Sequence, residues 1–154
     1  MKYSIDTSAI LDGWVRYYPP DTFPGLWDQI DKLISNRQLI ATEEVLIELE
    51  KKEDTAYNWF RQRSNMFIPI DEQIQEIVGD ILLKYERLVD TSKGRSMCDP
   101  FVIALAKLQN CPVVTAEKIT GNLNKPKIPD VCLDLNIEPI SLLDLIRRNR
   151  WIFR

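Results

Sequence analysis

Residues 2–11 have the sequence KYSIDTSAIL, which places one carboxylate and two hydroxyls between a short β-prone segment and the first turn of a helix. Tyr3 to Ile5 form the β-prone segment, and Ala9 to Leu11 are helical in character. In an open α/β sheet, ligands bind in the crevice beyond the carboxyl ends of the strands. Asp6 follows the strand at that point. The alternative is that Asp6 or Ser8 only caps the next helix.

The length and composition predict a single domain covering residues 1–154. The hydrophobic fraction of 45% and the charged fraction of 28% are ordinary for a globular protein. No apolar run approaches the length of a membrane span, and no basic-then-apolar leader precedes the first strand. We therefore predict a cytoplasmic protein with no membrane partner.

The chain contains no histidine, which limits its chemistry. Ser-His and Cys-His nucleophilic pairs, imidazole acid–base catalysis and His-bound metals are all excluded. The three cysteines are odd in number and lack C-x-x-C spacing, so they indicate neither a disulfide framework nor a zinc site. No glycine-rich phosphate-binding motif occurs. Any enzyme chemistry must rest on carboxylates, hydroxyls, Lys or Arg, and a carboxylate site favours a hard cation such as Mg²⁺ or Mn²⁺.

The charge distribution is uneven along the chain. Residues 1–117 carry 13 Lys and Arg against 19 Asp and Glu, whereas residues 118–154 carry 7 against 4. The overall charge of −3 is unusual for a nucleic-acid-binding protein. Local basic patches matter more than the total, however, and the carboxyl-terminal part has an excess of positive charge.

Predicted strands and helices alternate along the whole chain. The spacing of apolar residues predicts strands at 38–41, 112–115 and 137–140 in addition to the first one. It predicts helices at 22–35, 42–52, 54–64, 71–90 and 142–150, another apolar helix beginning near Asp99, an extended link at 66–70 and a polar loop at 91–96. This alternation is typical of a mostly parallel sheet covered by helices on both faces.

Four acidic residues lie at the ends of these predicted elements. Asp6 and Glu117 follow strands, whereas Glu48 and Asp99 lie near helix starts, so all four are expected at one edge of the sheet. Simpler explanations exist for two of them. Glu48 fits a solvated helix face, and Asp99 fits an N-cap followed by proline at the first helical position.

The segment 13–20, GWVRYYPP, combines aromatic residues, one cation and paired prolines. We predict a loop or a short helix end there. Its aromatic rings either stack with nucleic-acid bases beside Arg16 or pack over the core.

The chain resembles the PIN-domain family of metal-dependent ribonucleases. The resemblance rests on IDTS after the first strand, VLIEL at 45–49, DPFVIA at 99–104 and VVTAE at 113–117, in that order and over the whole length. It implies a three-layer α/β/α sandwich with a mostly parallel four- to five-stranded sheet, a Mg²⁺ or Mn²⁺ cofactor and cleavage of RNA phosphodiester bonds. Many relatives are VapC-type toxins of toxin–antitoxin pairs, which implies an antitoxin partner, and homodimers are common among them.

The resemblance assigns roles to individual residues. Asp6, Glu48 and Asp99 match the three principal acids of the family, which act in catalysis and metal binding. Glu117 matches a fourth acid that is Asp in many members, and its extra methylene group shifts the carboxylate outward. The metal site therefore holds either one ion or two.

Three further residues are implied as supporting groups. Thr7 and Thr115 match polar positions beside the acids and are expected to orient a carboxylate or a water molecule. Asp130 lies in a segment, KIPDVC at 127–132, that resembles a little-characterised prokaryotic branch of the family, and it is expected to compensate for the altered position of Glu117.

A metal ion also accounts for the predicted cluster of acids. Two carboxylates about 5 Å apart repel each other by roughly 3 kcal/mol at an effective dielectric constant near 20. A divalent ion removes this repulsion, lowers the pKa of a water molecule and stabilises charge on phosphate without any imidazole. Attack by water is expected to leave a 5′-phosphate and a 3′-hydroxyl.

Two other functions fit parts of the sequence. A haloacid-dehalogenase-like phosphatase also begins with a strand and an Asp, but it requires a second Asp two residues later, where this chain has Ser8. An inactive PIN-like module that binds RNA or protein is the stronger alternative, and the Glu117 departure favours it. The sequence does not define the RNA target.

Overall fold

The computed structural model describes residues 1–89 and 97–154. Within these residues the strands are β1 (Tyr3–Ile5), β2 (Leu39–Thr42), β3 (Phe67–Ile68), β4 (Val113–Val114) and β5 (Pro139–Ile140). The α-helices are α1 (Thr7–Leu11), α2 (Pro24–Ser35), α3 (Glu43–Lys52), α4 (Asp54–Arg61), α5 (Glu72–Lys84), α6 (Cys98–Gln109), α7 (Ile128–Asp134) and α8 (Leu142–Arg148). A π-helix (Asp12–Tyr17) follows α1, and a 3-10 helix (Ser64–Met66) precedes β3.

The strands form one parallel sheet in the order β3-β2-β1-β4-β5. β1 lies in the centre, where Ser4 pairs with Ile40 on one side and Val113 on the other. The chain builds the sheet outward from β1 through β2 to β3, and then returns to the other side of β1 with β4. The crevice between the carboxyl ends of β1 and β4 is therefore the topological switch point, where open α/β sheets bind ligands.

The central strands are buried on both faces. Every residue of β1, β2 and β4 is buried, and successive side chains of a strand point to opposite faces. The helices must therefore cover both sides, which confirms the predicted three-layer α/β/α arrangement. Helix α6 packs against β1, β2 and β4, and its residues Val102 to Ala106 are all buried, as the apolar composition predicted.

Two element predictions were wrong in detail. The segment at 66–70, predicted as a link, contains β3, whose Phe67 pairs with Ala41. Two residues are too few for a strand pattern to be recognised in a sequence. The predicted helix 71–90 ends at Lys84 as α5, because Tyr85 leaves helical geometry and its hydroxyl donates to Asp134 at the end of α7.

The start of α6 also differs from the prediction. The helix begins at Cys98 with Met97 at the N-cap, so Asp99 lies inside the first turn and not at the cap. Residue 90 and the predicted polar loop at 91–96 lie outside the described residues. Among the residues described, no helix combines the length and apolar character needed to cross a bilayer.

Candidate active site at the carboxyl end of β1

Asp6 lies immediately after β1 and is 3% exposed. Its backbone occupies the N-cap position of α1, but its side chain makes no capping hydrogen bond. Instead, the Ser8 hydroxyl donates to Asp6 Oδ2 at 2.5 Å, and the Thr115 hydroxyl donates to the same oxygen at 3.0 Å. Helix capping therefore does not explain this buried carboxylate.

A small hydroxyl network connects the ends of β1 and β4. The backbone N–H of Ala116 donates to Ser8 Oγ at 3.0 Å, and the N–H of Glu117 donates to Thr115 Oγ1 at 3.1 Å. Ser8 and Thr115 are thus held by the backbone that follows β4 while they hold Asp6. The role of Ser8 was missed in the sequence assignment of site residues, although its position one helical turn from the strand end is visible there.

The carboxyl group of Asp6 has a pKa of about 6, raised from 3.8. Burial is the largest cause, and the negative charges of Glu117 and Glu48 raise the pKa further. The hydrogen bonds from Ser8 and Thr115 oppose this shift. Three of the four predicted acids therefore interact electrostatically at the switch point of the sheet.

Glu48 reaches this region from α3. Its Oε1 forms an ion pair with Lys52 Nζ at 3.2 Å, one helical turn further on, while its side chain is only 12% exposed. Its Oε2 is buried and has no hydrogen-bond partner among the described residues. In the same part of the chain, the buried hydroxyl of Thr42, at the N-cap of α3, has no partner and makes no capping bond. Glu48 is therefore more than the solvated face residue of the alternative interpretation.

Asp99 lies in the first turn of α6, half-buried and next to Cys98. Burial raises the pKa of the Cys98 thiol, and the charges of Asp6, Glu48 and Asp99 raise it further. The Thr7 hydroxyl lies 3.9 Å from Cys98 Sγ. The Cys98 thiol thus lies within the electric field of three of the predicted acids, and Thr7 faces it from α1.

Glu117 approaches the site from the loop after β4. Its Oε1 accepts a hydrogen bond from the backbone N–H of Ile128 at 3.3 Å, and its charge acts on Asp6 and on the buried Cys132. Burial is the main cause that raises the pKa of Cys132 to about 12, and the negative charges of Asp6 and Glu117 raise it further. The fourth predicted acid is thus part of the same charged region and is held by the start of α7.

Asp130 holds a loop, and its expected compensation for the altered position of Glu117 stays a prediction. Its two oxygens accept four hydrogen bonds, from Thr120 N and Oγ1, Gly121 N and Lys127 N, at 2.7–2.9 Å. Burial alone would raise its pKa, but these bonds outweigh burial and lower the pKa below its usual value. Asp130 therefore fixes the segment between Glu117 and α7.

The carboxylates of the site have the right chemistry to bind a hard cation, but they do not form a ready-made coordination site. Oxygen ligands are those that Mg²⁺ and Mn²⁺ prefer, and the buried oxygen of Glu48 lacks a partner within the described part of the chain. Within residues 1–89 and 97–154, however, no three His, Cys, Asp or Glu side chains are close enough together to hold a metal ion. Lys52 contacts Oε1 of Glu48 and the Ile128 amide contacts Oε1 of Glu117, so each contact occupies one oxygen of its carboxylate.

The fold is similar to that of two solved structures. FitAcB from Neisseria gonorrhoeae matches with a TM-score of 0.50 and 14% sequence identity, over 91% of this chain and 96% of that chain. VapBC2 from Rickettsia felis, bound to a DNA fragment from their promoter, matches with a TM-score of 0.50 and 16% identity, over 92% of this chain and 98% of that chain. Together with the five-stranded parallel sheet, these likenesses show a PIN-like fold, as the sequence motifs predicted.

The family of the chain follows from its sequence. Residues 3–153 match the family DUF4411, described as a domain of unknown function, and the chain belongs to this family. Comparison with curated proteins finds no match.

Proposed function

We propose that the chain is a metal-dependent endoribonuclease in which Asp6, Glu48, Asp99 and Glu117 bind Mg²⁺ or Mn²⁺. The observation that carries this proposal is the buried Oε2 of Glu48, which has no partner in the described segments, together with a buried Asp6 whose pKa the Glu48 charge helps to raise. Leaving a buried carboxylate oxygen without a partner is costly, and negative charges brought together in a crevice favour a cation. The likeness to PIN-like structures supports the proposal at the level of fold.

Some residues of the site orient the carboxylates, and the carboxylates themselves would bind the cation. Ser8 and Thr115 fix the orientation of Asp6 through Oδ2, and the backbone after β4 fixes both hydroxyls. When bound, a divalent cation stabilises charge on the phosphate and lowers the pKa of the attacking water. Ser8 at the second position after Asp6 donates a hydrogen bond and cannot act as the carboxylic acid that the phosphatase alternative requires.

Incubation of the full chain with labelled single-stranded RNA and Mn²⁺ tests this function. We expect cleavage with 5′-phosphate and 3′-hydroxyl ends, and a loss of at least about 100-fold in rate in Asp6→Asn and in Asp99→Asn, because both substitutions remove a ligand charge. The matched control is Asp80→Asn, which replaces an exposed carboxylate of α5 with the same amide and should keep full activity. Cleavage that persists equally in both site variants would refute the proposal.

A PIN-like binding module remains the second candidate. It is favoured by the observation that no three acidic side chains of the described segments lie within metal-binding distance. Such a module would bind RNA or protein without Mn²⁺-dependent cleavage, so the same assay separates the two functions.

A protein partner is the final part of the proposal. By analogy with the similar structures of FitAcB and VapBC2, we propose that a cognate antitoxin protein binds this chain and inhibits it. Expression of the chain alone should arrest growth of a bacterial host, whereas Asp6→Asn should not. Co-expression of the neighbouring gene should restore growth if that gene encodes the partner.

A further inference from the structure

A cavity of about 350 Å³ lies beside the Asp6 network, between the π-helix, the segment after β4 and the start of α8. Its wall includes Thr115, whose hydroxyl donates to Asp6, so the cavity adjoins the candidate active site directly. Its volume is within the range of about 300–1,000 Å³ typical of small-molecule sites. The cavity is therefore large enough for a group that lies next to the reacting phosphate.

The π-helix brings an aromatic ring to this cavity. Its Trp14 packs against Trp27, with ring centroids 4.8 Å apart, and the following Tyr18 packs edge-on against Phe23 at 5.6 Å. Tyr17 lines the cavity together with Tyr18, and the centroids of their rings are 6.4 Å apart. Tyr17 is nevertheless 61% exposed. Trp14 therefore packs as one alternative for segment 13–20 expects, whereas Tyr17 keeps a ring face accessible to a ligand.

The π-helix is held in place by a close approach to α8. A Cβ atom added to Gly13 would lie 2.5 Å from Leu142 Cδ2 and 3.5 Å from the Trp27 ring. Gly13 and Leu142 both line the cavity. π-Helices are rare and occur frequently at functional sites. The wall that carries Tyr17 is therefore built by tight packing and is not a loose loop.

Lys118 supplies a positive charge at the same place. It lines both the 350 Å³ cavity and a second cavity of about 160 Å³ that Glu117 and Ile119 also line. Lys118 is exposed, and in the described segments no carboxylate lies within ion-pair distance of it. Its loop is anchored by the four hydrogen bonds to Asp130. The ammonium group is therefore available to a ligand that spans the two cavities.

We propose that this cavity binds one nucleotide of a single-stranded RNA, with its base stacked on Tyr17 and an adjacent phosphate held by Lys118. The inference rests on the proposed ribonuclease function and adds a substrate subsite to it. Exposed aromatic rings and cations along a groove are the groups by which proteins bind single strands, because every base has a π face and every linkage a charge. The neighbouring Thr115 places this nucleotide next to the carboxylates.

Binding of a fluorescein-labelled single-stranded RNA, followed by fluorescence anisotropy in Mg²⁺, tests the inference. All proteins carry Asp6→Asn so that the RNA stays intact. Tyr17→Ala should weaken binding roughly five- to hundredfold, the range found for loss of a stacked base, whereas Tyr17→Phe should bind like the parent. Tyr17→Phe is the matched control because it keeps the ring and removes only the hydroxyl.

The charge is tested by salt dependence. Lys118→Ala should reduce the slope of log affinity against log salt by about 0.7, the value for one phosphate contact on a single strand. Lys107→Ala is the matched control, because Lys107 lines a different cavity with Cys111 and Pro112, which precede β4 at the opposite edge of the sheet. It should leave the slope unchanged.

The outcomes separate this inference from the proposed function. Absence of RNA binding, equal binding by Tyr17→Ala and Tyr17→Phe, or an unchanged slope in Lys118→Ala overturns the subsite. Loss of a protein partner in these variants, with RNA binding intact, also overturns it and assigns the cavity to that partner. If the wild-type chain fails to cleave RNA in Mn²⁺ while the expected binding pattern holds, the ribonuclease function fails and the subsite stands.

Discussion

Asp6 is a carboxylate on which burial and two negative neighbours act together. Its pKa of about 6 means that it is mostly ionised at neutral pH but mostly protonated at pH 5. Two hydroxyl donors hold one of its oxygens, so its orientation does not depend on a bound ion. A group of this kind favours the binding of a cation as soon as it ionises.

The raised pKa predicts a pH dependence of stability. Because the folded pKa is above the unfolded value, the native state binds more protons between pH 4 and 6, and the free energy of unfolding falls as pH rises through this window. Between pH 4.5 and pH 7, the fall attributable to Asp6 should be about 2 kcal/mol. Urea denaturation of wild type and Asp6→Asn at pH 4.5 and pH 7, without divalent metal, measures it. An equal pH dependence in both proteins would contradict the assignment.

Asp130 has a structural role that the sequence did not predict. It is buried and lies close in sequence to the predicted site, but its oxygens hold Thr120, Gly121 and Lys127. The sequence pattern could not reveal this, because a capping carboxylate and a metal-binding carboxylate have the same composition. Only the direction of its hydrogen bonds separates them.

Asp130→Asn should therefore act on stability. The amide group would place donors against backbone donors, and we expect a loss of at least about 2 kcal/mol in the free energy of unfolding. Urea denaturation measures this loss, and Asp80→Asn, which is exposed, serves as the control for carboxylate-to-amide exchange. A loss of metal affinity without any loss of stability would instead make Asp130 a ligand.

At the scale of elements, alanine should have opposite effects at Gly13, which lies at the close contact between the π-helix and α8, and at Gly79, which lies in α5. Gly13→Ala should destabilise the protein by about 1–3 kcal/mol, because its Cβ collides with Leu142. Gly79 lies in the interior of α5, and no atom of the described residues is within 4 Å of the added Cβ, so Gly79→Ala should stabilise the protein by roughly 0.5–1 kcal/mol. Thermal denaturation of both variants measures the difference in Tm, and equal Tm shifts would show that Leu142 moves aside without cost.

The elements with local signals were predictable from the sequence. Asp71 and Ser141, residue types that are preferred at N-caps, accept hydrogen bonds from the third residue of their helices. The extent of β3 was not predictable, because a two-residue strand is defined by its pairing with Ala41–Thr42 and not by its own pattern. The first residue of α6 was not predictable either. Likewise, no local rule separates Trp14, which meets Trp27 across the core, from the exposed Tyr17.

For the whole molecule, the gathering of acids at one edge follows from parallel topology. The carboxyl ends of parallel strands share an edge, so Asp6 and Glu117 were expected to meet, and their charges do interact. The partners of Glu48 and Glu117, Lys52 and the Ile128 amide, depend on side-chain packing and were outside the reach of sequence patterns. The ligand assignment itself stays a prediction.

Metal binding should stabilise the whole chain. A ligand that binds only the native state at 100 times its Kd adds about 2.7 kcal/mol, which for a protein of this size corresponds to a Tm increase of roughly 5–10 °C. Differential scanning fluorimetry with MnCl₂ and then excess EDTA measures the rise and its reversal. Asp99→Asn should abolish most of the rise, and Asp80→Asn should keep it. An equal rise in both variants would place the ion elsewhere.

The central position of β1 has a consequence for folding. Thr115, whose hydroxyl orients Asp6, lies more than a hundred residues further along the chain. β1 can pair with β2 early, whereas β4 adds to the other side of β1 only after the intervening segment has been made. A fragment that stops before β4 therefore carries Asp6 without the hydroxyl network that orients it.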